Sequence, residues 1–573
     1  MPCLRPDLLA IARGEQPADL VLRGAQIVNV YSGEIHPGDL AIADGRVVGL
    51  GRYDGREVVE LPGGYLTPGL LDAHIHFEST LLGPAEFARL ACVRGTTGAF
   101  IDPHEVANVL GADGVRWVFA AAAGLPVHLW VNVPSCVPAS PLDDAGAVLD
   151  AEQIAELLAD PQALGLAEMM NFPGAAGGWP DVLAKLAAAG GRPIDGHAPG
   201  LRGQALDAYL LAGPNSDHEC TSTDEALDRL RRGCYVFLRQ GSASHDLATL
   251  LPVLNAHNAR RLCLCCDDLA AEELLTDGHI DRLVRQVVAA GVDPLTAVQM
   301  ASLNTAERFG VDGEVGSLGA GRRADVVWVE DLADYRPRRV WQRGREVARD
   351  GACLVELPTV DDSLLRHTVR LAPRRADSFT ARPRPGTVRV IGVEPGSLTA
   401  FARSAEAPLD AEGRLTADLD RDLLLCAVVE RHRAEPKIGL GLVQGFGLRA
   451  GALATSVGHD SHHVTVVGTS RAALAGAVAA IEALGGGLVA IDNTGLRAAL
   501  PLPLAGLWSD QDAASVAAGL REVRDAAAEL GCALPDPFMT LGFLGLTVIP
   551  ELRLTPSGLV DVLAFERCEL ALD

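Results

Sequence analysis

Between residues 70 and 267, short apolar runs alternate with longer segments that carry apolar residues at helical spacing. The helical segments are rich in Ala, Leu, Arg and Glu, and include 84–94, 180–189, 223–232 and 246–257. The apolar runs are 70–76, 98–102, 126–133, 164–168, 192–197, 215–218, 234–239 and 261–267. Short apolar runs separated by helices are typical of strands in a parallel sheet whose two faces are both covered. The alternation therefore predicts an α/β fold, a parallel (β/α)8 barrel of the TIM type.

Several of these runs end in residue types that bind metal ions. The first ends in His74 and His76, which share one face because alternate side chains of a strand point the same way. Two histidines at this spacing are, by themselves, more often incidental than metal ligands. Later runs end at further ligand types, namely Glu168, His197, His218 and Asp267. Because the carboxyl ends of barrel strands meet at one mouth, we expect all six residues to converge there.

Apolar stretches on either side of the predicted barrel indicate two further units. Strands joined by polar turns are expected within 18–30, 42–50, 323–329 and 340–347. We expect them to pair into one small β-sandwich. A Pro- and Arg-rich linker at 372–385 precedes strands such as 387–393 and helices such as 471–484, which predict an additional C-terminal α/β domain. The expected domains are 1–66 plus 319–371 (composite β-sandwich), 67–318 (barrel) and 386–573 (C-terminal α/β domain).

The composition fits a large enzyme that acts on small molecules. At 573 residues with 48% hydrophobic positions, the chain can form several cores. Its 49 basic and 74 acidic residues give a net charge of -25, which argues against nucleic acid or anionic membranes as partners. The first residues lack the pattern of a signal peptide, and the apolar stretch 472–491 is interrupted by Glu482 and three glycines, so it is expected to be a buried helix, a turn and a strand. We therefore expect a cytoplasmic protein.

Five separated motifs resemble those of one enzyme family. TPGLLDAHIH at 67–76 looks like the opening strand of the amidohydrolase superfamily, and its continuation FEST at 77–80 narrows the resemblance to adenine deaminases. The other four motifs are DPHEVANVLG at 102–111, AEMMNFPG at 167–174, GHAPG at 196–200 and SDHEC at 216–220. GHDSH at 458–462 and LPLAGL at 502–507 extend the resemblance into the last predicted domain.

The resemblance implies hydrolytic deamination of adenine to hypoxanthine and ammonia in purine salvage, a reaction at a C–N bond of a cyclic amidine. It implies a binuclear centre of two divalent ions, with Mn²⁺ or Fe²⁺ favoured and Zn²⁺ as the alternative, since imidazole and carboxylate ligands suit all three. Carried over by motif, one metal is held by His74, His76 and Asp267, the other by His197 and His218, with Glu168 as the bridge. Two cations lower the pKa of a shared water, so that hydroxide can attack C6 of the purine.

The amino group leaves as ammonia only if a proton reaches it. Asp267 is the first candidate to carry this proton, with Asp268, Glu168 and Glu105 as further catalytic candidates. For Glu105, a charge at a helix N-terminus is the alternative interpretation. The residues expected to contact the substrate follow strands 1, 2 and 7, and are Glu78, His104, Arg239 and Ser242.

Two positions depart from the family pattern and leave the substrate open. Gln240 stands where glutamate is usual, and His245 is also unusual. The first alternative is an amidohydrolase acting on another aminopurine, such as an N6-substituted adenine, or on a cyclic amide. The second alternative is a non-catalytic metal-binding homologue, which the six intact ligand types disfavour.

The last predicted domain carries its own cluster of histidines. His459, His462 and His463 stand beside Asp460 and would suggest a second metal site. Their match to the family's C-terminal motif instead favours an active-site lid or a structural polar network. Apolar stretches in the same domain suggest a homo-oligomer, a dimer or larger.

Overall fold

The computed structural model describes residues 5–397 and 399–572. It begins with a short helix, α1 (Pro6–Ala12), followed by seven strands that belong to two sheets. These strands are β1 (Ala18–Arg23), β2 (Gln26–Asn29), β3 (Glu34–Pro37), β4 (Asp39–Ala43), β5 (Arg46–Gly51), β6 (Gly55–Glu60) and β7 (Tyr65–Pro68). One sheet has the order β5-β4-β1-β6, and the other is completed by strands that follow the barrel.

The barrel consists of parallel strands, as the hydrophobic pattern predicts. Its strands are β8 (Leu70–His76), β9 (Thr96–Ile101), β10 (His128–Val133), β11 (Ala163–Met169), β12 (Ile194–Gly196), β13 (Ser216–Asp217), β14 (Tyr235–Arg239), β15 (Leu262–Cys265) and β16 (Asp267–Asp268). They form two ladders, β12-β11-β10-β9-β8-β16 and β13-β14-β15, in which every neighbouring pair is parallel. Since β16 continues β15 after one residue and pairs with β8, the last barrel strand meets the first.

Helices connect the strands of the barrel and follow its last strand. They are α2 (Pro84–Val93), α3 (His104–Ala122), α4 (Ala151–Leu158), α5 (Phe172–Gly177), α6 (Pro180–Ala188), α7 (Gly203–Leu211), α8 (Thr223–Arg231), α9 (Leu247–Leu250), α10 (Ala271–Thr276), α11 (Ile280–Ala289), α12 (Pro294–Met300) and α13 (Leu303–Phe309). The predicted helix at 246–257 is wrong in length, because α9 ends at Leu250 and passes into a 3₁₀ turn at Leu251–Val253. Pro252 lacks an N–H and cannot continue an α-helix without a clash.

An apolar cluster closes the barrel beneath its mouth. The ring of Phe100 stacks on Phe309 with centroids 3.7 Å apart, and on Trp130 at 4.7 Å. Phe237, Cys263 and other buried residues belong to the same cluster. The interior is filled in this way with apolar side chains, and the predicted ligands lie at the carboxyl ends of the strands.

The strands after the barrel return to the strands before it. They are β17 (Val326–Val329), β18 (Pro337–Gln342), β19 (Arg345–Arg349) and β20 (Ala352–Cys353). β17 pairs antiparallel with β7, giving a sheet of order β20-β19-β18-β17-β7-β2-β3. The two segments that flank the barrel therefore share one sheet, as the sequence predicts.

The C-terminal region, from residue 386 onward, forms an α/β unit around an eight-stranded sheet of order β22-β21-β24-β23-β26-β25-β27-β28. Its elements are β21 (Thr387–Gly392), β22 (Phe401–Glu406), β23 (Leu424–Val429), β24 (Ile438–Gln444), β25 (Ala452–Thr455), β26 (Val464–Gly468), α14 (Arg471–Leu484), β27 (Gly487–Asp492), β28 (Gly495–Pro501), α15 (Ala513–Glu529), α16 (Pro537–Gly542), β29 (Leu552–Thr555), β30 (Gly558–Asp561) and β31 (Glu566–Cys568). The helix, turn and strand expected at 472–491 are confirmed by α14, Gly485 at φ +73° and β27. Of the helices described, none has the length and apolar character needed to cross a membrane.

Candidate metal centre

Strand β8 brings His74 and His76 to the barrel mouth. Every residue of the strand is buried, and the two Nε2 atoms lie 3.1 Å apart. Asp72 anchors this strand, since its carboxylate accepts hydrogen bonds from the backbone N–H groups of His74 and Cys266, both at 3.2 Å. The pair of imidazoles is thus held against the last strand of the barrel, where Asp267 lies.

Glu168, at the end of β11, lies between the two groups of histidines. Its Oε1 is 3.2 Å from His76 Nε2, while its Oε2 is 2.7 Å from His197 Nδ1 and 3.3 Å from His218 Nε2. Burial alone would raise the pKa of Glu168, but the adjacent imidazoles hold it well below its usual value. Glu168 is therefore ionised, with one oxygen turned to each group of imidazoles.

Asp267 completes the first group. Its Oδ1 lies 3.5 Å from His74 Nε2 and 3.3 Å from His76 Nε2. Its backbone has φ +62°, a left-handed conformation that non-glycine residues rarely adopt and that is frequent at functional sites. The structure thus brings together all six residues at which the sequence predicts metal ligands.

The donor atoms fit divalent metal ions. Histidine nitrogen and carboxylate oxygen bind such ions at about 2.0–2.2 Å, which places neighbouring ligand atoms roughly 3.0–3.5 Å apart. The separations among His74, His76 and Asp267 are 3.1, 3.3 and 3.5 Å, and Glu168 lies at 3.2 and 3.3 Å from His76 and His218. The residues present therefore suit divalent metal ions, and Glu168 lies within reach of both groups of histidines.

Arg239, at the end of β14, lies among carboxylates. Its guanidinium donates to Asp267 Oδ2 at 2.9 Å and to Asp246 Oδ2 at 3.0 Å, and it also bonds Glu219. Glu219 in turn lies 3.5 Å from His218 Nε2 and 4.0 Å from His197 Nδ1. Sequence analysis missed Glu219, although its position directly after a strand-end histidine was a usable signal.

Two buried acids beside the centre have raised pKa values. Neither carboxylate oxygen of Glu78 has a hydrogen-bond partner among the described residues. Burial, together with the nearby charge of Glu105, raises the pKa of Glu78 to about 8. Burial and the charge of Asp267 raise the pKa of Asp268 to about 6. Glu78 is therefore mainly protonated at neutral pH, while Asp268 is mainly ionised but titrates close to neutrality.

Ser242 lies in the loop after β14 and supports the end of the last barrel strand. Its Oγ accepts from the Ala270 N–H at 2.8 Å, and its own N–H donates to the Asp268 carbonyl at 2.8 Å. The two unusual residues of this loop, Gln240 and His245, bond each other at 2.9 Å, and His245 is exposed.

The C-terminal region reaches this mouth through the loop between β25 and β26. His459 Nδ1 lies 2.6 Å from Glu105 Oε1, and His462 Nε2 bonds the other oxygen of that carboxylate. His104 Nε2 lies 3.7 Å from both Glu105 Oε1 and Asp460 Oδ1, and its Nδ1 lies 3.7 Å from Glu168 Oε1. Two C-terminal histidines thus clamp a carboxylate that borders the ligand cluster, an arrangement in keeping with the expected polar network.

His463 has a different role from its neighbours. Its Nε2 bonds the Asp144 carbonyl at 2.8 Å, away from Glu105. The three C-terminal histidines therefore do not share one set of contacts.

Comparison with known proteins agrees with these features over nearly the whole chain. The amidohydrolase family pattern matches residues 65–347, and that of the adenine deaminase C-terminal domain matches residues 399–566. An adenine deaminase of Nitratidesulfovibrio vulgaris is 46% identical over 98% of this chain and 97% of its own. An adenine deaminase of Desulfatibacillum aliphaticivorans is 46% identical over 97% of this chain and 98% of its own.

Among solved structures, an adenosine deaminase from Xanthomonas campestris with bound zinc is 16% identical, with a TM-score of 0.43 over 59% of this chain and 95% of that one. That likeness is too distant to bear on the chemistry. The relatives at 46% identity over nearly the full length decide the family. The chain belongs to the adenine deaminase family of the amidohydrolases.

Proposed function

We propose that this protein hydrolyses adenine to hypoxanthine and ammonia. The observation that carries the proposal is the position of Glu168, whose two oxygens face two separate groups of imidazoles at the barrel mouth. The full-length relatives that carry the name adenine deaminase supply the substrate. Purine salvage is the role we propose for this reaction, and the substrate is a small molecule.

The amidohydrolase family uses divalent metal ions, and we propose two per chain. His74, His76 and Asp267 would hold one, His197 and His218 the other, and Glu168 both. When bound, the two cations lower the pKa of a water so that hydroxide is available near neutral pH. Mn²⁺ and Fe²⁺ are the ions we favour, since the donor set of nitrogen and oxygen accommodates either.

The chain's own acids would move the protons. The attacking water must lose a proton, and the amino group at C6 must gain one before it leaves as ammonia. Asp267 would take the first proton, and the bond from Arg239 to its Oδ2 holds the carboxylate in position. Asp268, whose pKa of about 6 lies near neutrality, is suited to accept a proton and release it.

Substrate recognition would fall to groups with free donors and acceptors. Glu78 is buried, without a hydrogen-bond partner in the described chain, and its raised pKa makes it a donor to a purine nitrogen. His104 and Ser242 are further contacts that we propose. The carboxylates around Arg239 support a different role for that residue, which is to orient Asp267.

The test is to incubate the Mn²⁺-loaded protein with adenine and to measure hypoxanthine and ammonia together. Equal amounts of the two products from the wild type, with none from Glu168→Gln, would support the proposal. Turnover of N6-substituted adenines or cyclic amides without turnover of adenine would instead support the alternative substrates. No turnover of any of these compounds by protein that contains metal would refute the proposed hydrolysis.

A further inference from the structure

A small cavity lies between the barrel mouth and the C-terminal region. Ser79, Leu81 and Ala270 line it from the barrel side. Ser79 is three residues after His76, and Ala270 is three residues after Asp267, so the cavity lies beside two strand ends that carry predicted ligands. From the other side it is lined by Thr455, Val457, His459, Leu488, Leu520, Arg524, Asp536, Phe538, Met539 and Gly542.

Most of the polar side chains around this cavity are already paired. Ser79 Oγ donates to the His76 carbonyl at 2.7 Å and accepts from the Leu269 N–H at 3.0 Å. Arg524 forms an ion pair with Glu272 at 2.5 Å at the rim. The cavity therefore offers mainly apolar walls to a ligand.

His459 is the exception among the polar groups. Its Nδ1 bonds Glu105 at 2.6 Å, while its Nε2 has no hydrogen-bond partner within residues 5–397 and 399–572. The ring of Phe543 stacks on it with centroids 4.5 Å apart, which fixes its orientation. Burial alone would lower the pKa of His459, but the carboxylate of Glu105 raises it to about 9. At neutral pH the imidazole is therefore protonated, and Nε2 carries a hydrogen that it can donate.

We infer that this cavity receives the purine ring and that His459 Nε2–H donates a hydrogen bond to one of its ring nitrogens. The inference rests on the proposed function and deepens it, because it assigns part of the substrate site to the C-terminal region. A planar heterocycle suits apolar walls with few polar groups to set its orientation. Two intervening side chains, Glu105 and His104, connect His459 to Glu168 and so tie this side of the cavity to the ligand cluster.

The test compares adenine with its 1-deaza, 3-deaza and 7-deaza analogues, each of which lacks one acceptor nitrogen. Binding of each analogue to metal-loaded protein is measured as an inhibition constant, together with kcat/KM for adenine and metal content. The variants are His459→Phe, which keeps a ring against Phe543 but has no donor, and His459→Gln, which keeps an N–H donor. His257→Phe, the same change at an exposed histidine outside the cavity lining, is the matched control.

We expect His459→Phe to lower kcat/KM for adenine by about 10- to 100-fold, the usual effect of losing a hydrogen bond from a charged donor. We expect metal content to stay unchanged, and His459→Gln to recover part of the loss. One deaza analogue should bind the wild type about 10- to 100-fold more weakly than adenine, and this difference should vanish in His459→Phe. His257→Phe should keep the wild-type values for every ligand.

For each analogue, the ratio of its affinity to that of adenine is compared between the wild type and His459→Phe. If these ratios are the same in both proteins for all three analogues, the inference is overturned, even if activity falls, because a purely structural role weakens all ligands alike. If His459→Phe fails to fold, the analogue ratios of His459→Ala, which also lacks the donor, decide the question in the same way. Failure of the wild type to deaminate adenine would instead count against the proposed function, and the two failures are thus distinguishable.

Discussion

Removing the charge of Arg239 should destabilise the metal-free protein strongly. Arg239 is 5% exposed, and its guanidinium donates hydrogen bonds to Asp267 at 2.9 Å, to Asp246 at 3.0 Å and to Glu219. In Arg239→Met the aliphatic volume remains, but the three carboxylates lose their shared positive charge. The variant therefore isolates the electrostatic role of the guanidinium.

The size of the effect follows from burial. Removing one partner of a buried ion pair costs about 3–5 kcal/mol, because the remaining charge stays uncompensated in a poorly solvated place. For a unit of the barrel's size, each kcal/mol corresponds to about 2–4 °C in Tm, so the barrel transition should fall by about 6–20 °C. Bound cations would offset part of the repulsion at Asp267, so the shift should be smaller in metal-loaded protein.

The assay is differential scanning calorimetry of chelator-treated protein at neutral pH. Arg239→Lys keeps a positive charge without the planar fork and should lie between the wild type and Arg239→Met. The control is Arg336→Met, since Arg336 and its partner Asp334 are 67% and 59% exposed, and its Tm should match that of the wild type. A barrel transition in Arg239→Met within 1 °C of the wild type would refute this electrostatic reasoning.

Three further outcomes are expected. Glu168→Gln should retain the fold, measured by circular dichroism, but bind less metal than the wild type and lose more than about 100-fold in turnover. Even residues that only support metal ligands contribute about 10- to 100-fold to metal affinity or activity. Near wild-type turnover would exclude the bridging role. Chelation should abolish turnover, and added Mn²⁺ or Fe²⁺ should restore it; activity that survives complete removal of metal would contradict the proposed chemistry. His128 concerns stability: burial, with Arg323 and Arg343 nearby, lowers its pKa to about 3. Its folded pKa lies below the unfolded value of about 6.5, so its contribution to the free energy of unfolding is fully present above about pH 6.5 and is lost towards acid pH. Between pH 7 and pH 5, His128→Gln should therefore lose about 1–2 kcal/mol less of its free energy of unfolding than the wild type, as measured by urea titration. Equal losses in the two proteins would contradict this reasoning.

The barrel and the approach of its strand-end residues were predictable because both follow from local pattern and a topological rule. Parallel strands that are buried on both faces appear in the sequence as apolar runs. When such strands close into a barrel, their carboxyl ends meet at one mouth, so His74 and Asp267, each at the end of a run, must lie near each other. The error at residues 246–257 came from weighting apolar spacing above Pro252, which the hydrogen-bond pattern of a helix does not tolerate.

Contacts between distant segments were not predictable in this way. Glu105 and His459 are 354 residues apart, and no periodicity relates a helix N-terminus in the barrel to a loop in the C-terminal region. Arg239 illustrates the same limit, because its position after a strand does not indicate whether it faces a substrate or a set of carboxylates. The domain boundaries, the metal identity, the cytoplasmic location and the homo-oligomeric state stay predictions.

The most direct test of the account is a metal titration of the metal-free protein, with adenine deamination measured at each step. We expect activity to be absent without metal and to rise until two equivalents of Mn²⁺ are bound per chain, in keeping with two sites joined by Glu168. Saturation of activity at one equivalent would contradict the binuclear centre. Two bound equivalents without deamination of adenine would contradict the proposed function.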